Sequence, residues 1–285
     1  MQQCLIHGLV LPEFSDRQFA VKVKQFMRPE WVSATAVAQL EHLGLDQAGQ
    51  DTILSWLLTG KVALPDTVPE PNTALFALRE FLQPSRVLSV EDIACVSESL
   101  YRYHHRLYPM AGQPWLDCLG ALAQLPLPNL PSLAELLKQN LGAQWLLLDC
   151  FGLPLVGPVK SLIDEIFGAW QPAQLNFAQV GMGTSTDSCY RGLLDENVRH
   201  SFQKCDVIDR IIHSKKLAFE DIVSLVTTEL GIALKPITKR LESNQKVVIF
   251  ADHGFRLSVN GRHYQHGTGS TLERIIPFLV LAARH

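Results

Sequence analysis

KVVIFADHG, residues 246–254, is an unbroken apolar run that stops on Asp252 and His253. Its β-branched and aromatic residues and its short length predict a strand buried on both faces, the pattern of a strand inside a helix-covered sheet. A second stretch has the same shape: WLLLD, 145–149, is apolar until it reaches Asp149. In open α/β sheets ligands bind beyond the carboxyl ends of the strands. Both aspartates are therefore expected to project into one crevice.

Working outward, further strands are expected at 175–180 and 275–282, with a strand edge at 205–208. Helices are expected at 158–169, 187–202, 217–229 and 234–242. Asn260-Gly261, between 255–259 and 262–266, is the strongest short hairpin signal. This alternation predicts an α/β fold, a sheet flanked by helices. Residues 1–140 read as helical. Ser33 caps a helix running to Gly44, and Ile53, Trp56 and Leu57 keep helical spacing in 47–59. The three prolines of LPDTVPEPN, 64–72, demand a loop. Helices follow at 73–82, at 90–107 behind a Ser89-x-x-Asp92 start, and at 113–124. PLPN, 126–129, breaks the chain again. The expected division is an all-α domain over 1–130 and an α/β domain over 131–285.

The chain has 285 residues, 47% of them hydrophobic and 19% charged, so a sizeable core can form and disorder is excluded as a general state. Residues 1–140 carry 10 Lys/Arg against 14 Asp/Glu, whereas 141–285 carry 15 against 14. The nearly neutral C-terminal part suits an anionic substrate better. Cys4, Cys95, Cys118, Cys150, Cys189 and Cys205 form no C-x-x-C pair, which reads as reduced cytoplasmic thiols. The start, MQQCLIHGLVLPEF, lacks the pattern of a signal peptide, and no apolar run is long enough to span a membrane.

The chemistry-bearing residues are Asp149, Thr186, Asp209, His213, Asp252, His253 and His266. Three carboxylates, three imidazoles and a hydroxyl can hold two divalent metals around a nucleophile. Asp209 and His213 stand four apart and share one face of a helical turn, a chelating spacing. A hairpin at Asn260-Gly261 would return His266 to the end that holds His253. GMGTSTDS, 181–188, follows a strand and is rich in hydroxyls, which attack phosphorus only when metal coordination or a base helps them. Each signal alone has a plainer reading: a helix cap, a surface ion pair, a polar turn. Lys160, Arg191, Lys204 and Arg210 lie near these segments; one of them is a candidate clamp on a substrate oxygen, and the plainer reading leaves most of them solvated. YRYHHRLY, 101–108, mixes aromatics and bases as a nucleic-acid surface would. On a helix its Tyr101, His104, His105 and Tyr108 form one stripe, the arrangement of packing residues.

Taken together, these segments resemble a known family. LLLDCFG (146–152), GTSTDSCYRGLL (183–194), DRIIH (209–213), FADHG (250–254) and HGTGSTLERIIPFLVL (266–281) are similar to the alkaline phosphatase superfamily and, within it, to the PglZ domain. The resemblance covers about 132–285. It implies an alkaline-phosphatase-like sheet and a metal-dependent phosphoester hydrolase, with a weak preference for a phosphodiester such as a nucleotide or oligonucleotide. It implies one ion held by Asp209, His213 and His266, and a second held by Asp149, Asp252, His253 and the nucleophile. Thr186 is the nucleophile that the spacing to Leu193-Leu194 selects; Thr184, Ser185 and Ser188 stay open. The ions would be zinc, or else manganese, as mixed carboxylate and imidazole sets favour. Arg191 and Lys160 are the candidate substrate contacts. The resemblance also implies a bacterial setting, with phage-defence systems as one home. The chain departs from the family pattern at Gly183-Thr184, where a proline is usual, and at Cys150, where Gly or Ala is common. Sulfatase chemistry is disfavoured, because Cys189-Tyr190-Arg191 lacks the Cys/Ser-x-Pro-x-Arg form. The competing expectation is an inactive scaffold of the same fold, docking protein partners through its helical N-terminal region.

Overall fold

The computed structural model describes residues 2–7, 27–39, 43, 45, 47–58, 61–63, 89–102, 104, 126–168, 170–195, 202–214, 217–238, 246–258 and 263–283. Its centre is a five-stranded mixed sheet: β1 (Gln144–Leu148), β2 (Gln174–Gln179), β3 (Phe202–Cys205), β4 (Val247–Phe250) and β7 (Ile275–Leu281), in the order β2-β7-β4-β1-β3. A separate two-stranded ribbon pairs β5 (Arg256–Leu257) with β6 (Tyr264–Gln265). The turn at Asn260-Gly261 lies outside the described residues.

Burial explains the strand order. All four residues of β4 and the last four of β1 are buried, as strands covered on both faces must be. β3, at one edge, is half-buried at its ends and exposed at Gln203 and Lys204, and such polar edges discourage pairing with other chains. β1 runs parallel to β3 and β4, whereas β7 is antiparallel to both β4 and β2. β1 to β4 therefore all point one way. Their C-terminal ends and the N-terminal end of β7 share one edge of the sheet.

Helices flank the sheet: α1 (Gln2–His7), α2 (Ala34–Ala38), α3 (Gln47–Leu58), α4 (Val90–Arg102), α5 (Leu133–Lys138), α6 (Val156–Ile166), α7 (Thr186–Asp195), α8 (Val207–His213), α9 (Phe219–Thr238) and α10 (Thr271–Arg274). α4 opens with a reciprocal cap, Ser89 N–H donating to Asp92 and Asp92 N–H donating to Ser89 Oγ. α4 packs on α6 and on the tight turn Leu153–Leu155, where Ser97 Oγ donates to the Leu153 carbonyl. Its Ile93, Val96 and Leu100 join the same continuous cluster of buried side chains as the sheet. The segments 64–72, 73–82 and 113–124 lie outside the described residues.

Three expectations need correction. The helix capped by Ser33 ends at Ala38, not Gly44, because Gln39 leaves the helical region and its N–H turns onto the last carbonyls. The helix expected at 187–202 runs Thr186–Asp195, and Phe202 already begins β3, so the strand lies before 205–208 and Val207 starts α8. The two helices expected at 217–229 and 234–242 are one, α9. Its buried stripe, Phe219, Ile222, Val226, Leu230 and Leu234, continues past Gly231 at helical spacing. Pro236 falls in the last turn, and the carbonyl it deprives of a donor belongs to the exposed Ile232, where water can serve. Among the described residues no helix is long and apolar enough to cross a membrane.

Candidate metal centre

The shared sheet edge collects the chemistry. Asp149 follows β1, the segment 180–186 follows β2, α8 with Asp209 and His213 follows β3, Asp252-His253 follows β4, and His266 to Arg274 lead into β7. All seven residues singled out in the sequence meet there. Donor atoms of Asp209, His213 and His266 converge as one group, and those of Asp149, Asp252 and His253 as another. The two groups adjoin, because the rings of His253 and His266 stack with centroids 4.1 Å apart.

In the first group Asp209 Oδ1 lies 3.2 Å from His213 Nε2 and 3.1 Å from His266 Nε2, and the two nitrogens are 2.8 Å apart. His266 Nδ1 donates to the Thr184 carbonyl at 3.2 Å. That bond fixes the ring so that Nε2 faces Asp209 and His213, the orienting contact that metal-binding imidazoles use. The hydrogen bond from His266, and then His213, holds the Asp209 carboxyl below its ordinary range. The same bond raises His266 above the usual imidazole value against the effect of burial.

The second group is buried. Asp149 is 4% exposed, Asp252 1% and His253 fully enclosed. His253 Nε2 stands 3.5 Å from Asp149 Oδ1 and 3.6 Å from Asp252 Oδ2. His253 Nδ1 donates to the Gly254 carbonyl at 3.1 Å, again leaving Nε2 as the bare acceptor. Neither His253 Nε2 nor Asp252 Oδ2 has a hydrogen-bond partner. Two such atoms, buried side by side, each cost about 1–3 kcal/mol unless something satisfies them. A divalent cation would satisfy both. Donor separations near 3.5 Å are close to the edge of about 3.3 Å that a tetrahedral ion spans with bonds of about 2.0–2.1 Å. Burial, with Asp149 beside it, raises the Asp252 carboxyl above its ordinary range, opposed by His253.

The turn after β1 is shaped for this contact. Cys150 takes a left-handed conformation, φ 64°, and its N–H donates to Asp252 Oδ1 at 3.2 Å. That conformation explains why glycine suits the position better. Burial first, then Asp209, Asp252 and Asp149, push the Cys150 thiol well above its ordinary value. It is the poorest donor of its neighbourhood, although its sulfur lies within reach of His253 and His266.

Thr186 opens α7. Its Oγ1 lies 3.3 and 3.4 Å from the two oxygens of Asp149. The neighbouring hydroxyls have other tasks. Ser185 Oγ and Ser188 Oγ bond each other at 3.0 Å. Thr184 is fully buried, donates to Glu273 Oε2 at 2.5 Å and accepts the N–H groups of Gly267 and Gly269. Gly183 admits no side chain, since a Cβ would meet Ser188 Cβ at 2.5 Å.

Two further residues have direct roles here: Lys204, which the sequence offered only as one of four basic candidates, and Glu273, which was missing from the expected site set. Lys204 Nζ lies 2.6 Å from Asp149 Oδ2. Burial works against its charge, but the hydrogen bond and charge of Asp149, with Asp252 and Asp209 beyond, raise its pKa. Glu273, fully buried, accepts from Thr184, from the N–H and hydroxyl of Thr268, from Gly269 N–H and from Arg256 Nε. Burial would raise its carboxyl, yet these donors hold it below the ordinary range. Of the two candidate substrate contacts, Arg191 is exposed and reaches the Asp187 carbonyl, and Lys160 pairs with Asp164 at 2.6 Å. Arg210 pairs with Glu229. His104, from the 101–108 stripe, is buried among Phe219 and Tyr264, and burial lowers it to about 4.

Compared with models of known protein families and with curated proteins, the chain matches none.

Proposed function

We infer that the protein is a two-metal phosphoester hydrolase on an alkaline-phosphatase-like domain of the PglZ type, with Thr186 as nucleophile. One observation carries the reading. Two sets of metal-donor atoms adjoin, the Thr186 hydroxyl lies beside the buried set, and that set contains two polar atoms without partners. Asp209, His213 and His266 would hold one ion, and Asp149, Asp252 and His253 the other. Zinc suits this donor set, and manganese is the second choice. Bound there, the ions would supply Lewis-acid polarisation of a phosphoryl oxygen and a lowered pKa for the attacking hydroxyl.

The chain's own residues then do the following. The Thr186 hydroxyl is held beside Asp149, whose carboxylate receives its proton. Oγ1 forms a bond to phosphorus, the bond to the ester oxygen breaks, and that oxygen leaves with the electron pair and takes a proton from solvent, to which Asp149 releases the one it received. Water hydrolyses the phosphothreonine and returns the hydroxyl. The helix start at Thr186 directs backbone N–H groups toward an arriving anion. The substrate class we propose is a phosphodiester such as a nucleotide or oligonucleotide.

A second reading is favoured by Lys204, whose ammonium already neutralises Asp149 as an inactive, metal-free scaffold would need. One experiment separates the two. Metal content and hydrolysis of generic phosphomonoesters and phosphodiesters are measured for wild type, Asp252→Ala and Thr186→Ala with Zn²⁺ or Mn²⁺. The enzyme reading expects Asp252→Ala to lose bound ion, and Thr186→Ala to keep it while kcat falls by at least about 10³-fold. Equal inertness of all three proteins, with no ion bound, establishes the scaffold.

A further inference from the structure

We propose that Lys204 is the residue that binds the substrate's phosphoryl oxygen, exchanging Asp149 Oδ2 for that oxygen when substrate arrives. The inference rests on the phosphoester reading above and names the chain's own anion ligand within it.

The geometry is specific. Lys204 lies opposite Leu147 in the β1–β3 register, and the Asp149 N–H donates to the carbonyl of the next residue, Cys205, at 2.9 Å. The strand therefore stands beside the end of β1, and the long Lys204 stem reaches one step further to the Asp149 carboxylate. The two oxygens of that carboxylate face different ways. Oδ1 looks at His253 Nε2 at 3.5 Å, in the buried donor group, and Oδ2 holds the ammonium at 2.6 Å. A cation bound through Oδ1 leaves Lys204 in place but weakens its hold, because Asp149's charge is then shared.

Thr186 Oγ1 lies 3.4 Å from the same Oδ2, so hydroxyl and ammonium are at most 6.0 Å apart. A phosphoryl group fits that interval. Its phosphorus would stand about 3–3.5 Å from the attacking oxygen, and one non-bridging oxygen would lie about 2.7–2.9 Å from the ammonium. The Lys204 side chain is 41% exposed while the Asp149 side chain is 5% exposed, so Lys204 can swing toward solvent and an incoming anion while the carboxylate stays fixed. Of the other basic side chains near the motifs, Lys160 pairs with Asp164 and Arg210 with Glu229, while Arg191 is exposed and reaches only the Asp187 carbonyl.

The test uses the full chain and two probes, inorganic phosphate and Zn²⁺ alone, on wild type, Lys204→Met and Lys204→Arg. Phosphate binding is followed by calorimetry on zinc-loaded and on chelator-treated protein, and zinc affinity by chelator competition without phosphate. Lys204→Met is expected to weaken phosphate binding about 10- to 100-fold, the loss of one charge-assisted hydrogen bond. Its zinc affinity should stay equal or rise, and Lys204→Arg should keep most of the phosphate affinity. Unchanged phosphate binding in Lys204→Met overturns the proposal. So does a parallel fall in zinc affinity, which would make Lys204 a support for Asp149 alone, and so does wild type that binds no phosphate in either state. If wild type takes up no zinc but phosphate binding still depends on Lys204, the metal reading fails and Lys204 as anion ligand stands.

Discussion

Replacing Asp252 by Asn probes the centre through stability instead of turnover. Without a cation, Asp252 Oδ2 is buried with no partner, 3.6 Å from His253 Nε2, which also has none. Burial raises the Asp252 carboxyl above its unfolded value of 3.8. A raised folded value means that its contribution to stability is complete below pH 3.8 and is lost as pH rises through the folded value. Near neutral pH the metal-free protein therefore holds an unfavourable charge. Asn has the same shape and no charge. Its oxygen can keep the N–H groups of Cys150 and His253, which Asp252 Oδ1 now accepts at 3.2 and 3.0 Å. Its amide can donate to His253 Nε2, an acceptor because Nδ1 already donates to Gly254. Satisfying these buried atoms is worth about 1–3 kcal/mol. Asp252→Asn is thus expected to stabilise the chelator-treated protein by that amount at pH 7, with the gain shrinking toward pH 4. Zinc should reverse the order. Wild type gains about 2.7 kcal/mol when free zinc is about 100-fold above its Kd, and the variant gains far less. Urea unfolding at both pH values, with chelator and with zinc, measures all of this. A variant that is less stable than wild type in chelator, and that still gains from zinc as wild type does, refutes the reasoning.

Glu273→Gln should destabilise the protein by about 2–4 kcal/mol, because an amide cannot accept at both oxygens and the charge-assisted bond from Arg256 is lost; thermal and urea unfolding check it. The same variant should weaken zinc binding about 10- to 100-fold, since Glu273 holds Thr184, whose carbonyl orients His266. Zinc affinity should fall as pH drops from 8 to 6, because Asp209 raises His266 above 6.5 and the cation must displace that proton; chelator competition across the range checks the sign. Gly269→Ala should cost more than about 1 kcal/mol in unfolding free energy, since φ is +70° and a Cβ would meet the Met182 carbonyl at 2.6 Å.

What was legible in the sequence follows from range. Buried parallel strands are apolar along their whole length, so WLLLD and VVIFADH announced both the strands and the aspartates beyond them. Asp209 and His213 were legible because one helical turn relates them. Lys204 was legible only as one of four basic residues near the motifs, and Glu273 was not singled out, because neither belongs to a periodic pattern. Gln203 and Lys204 give edge strand β3 a polar centre, and the meaning of Lys204 depends on pairing with β1, far back in the chain. Glu273 reads as a polar residue of a short helix until the 266–270 loop folds over it and Thr184 arrives from the other side of the sheet's upper edge. The unity of α9 was hidden around Gly231, between the two expected helices, where the continuous buried stripe overrides the local cost of a glycine.

Strand direction is the remaining step, and it is what makes the centre possible. The alternation of strands and helices marks elements but not the sense in which each crosses the sheet. His266 and Glu273 precede β7, whereas Asp149 and Asp252 follow β1 and β4. Groups before one strand and after another reach the same edge only when those strands run oppositely. β7 is antiparallel to β4, with Val248 opposite Val280 and Phe250 opposite Phe278. Were β7 parallel to β4, His266 would lie at the far edge of the sheet, more than a strand length of about 13 Å away at about 3.3 Å per residue. The stacked pair His253–His266 would not exist. The connection from β4 to β7, which carries the short β5–β6 ribbon, begins and ends at that same edge. The link between the two donor groups is therefore a consequence of one antiparallel pairing.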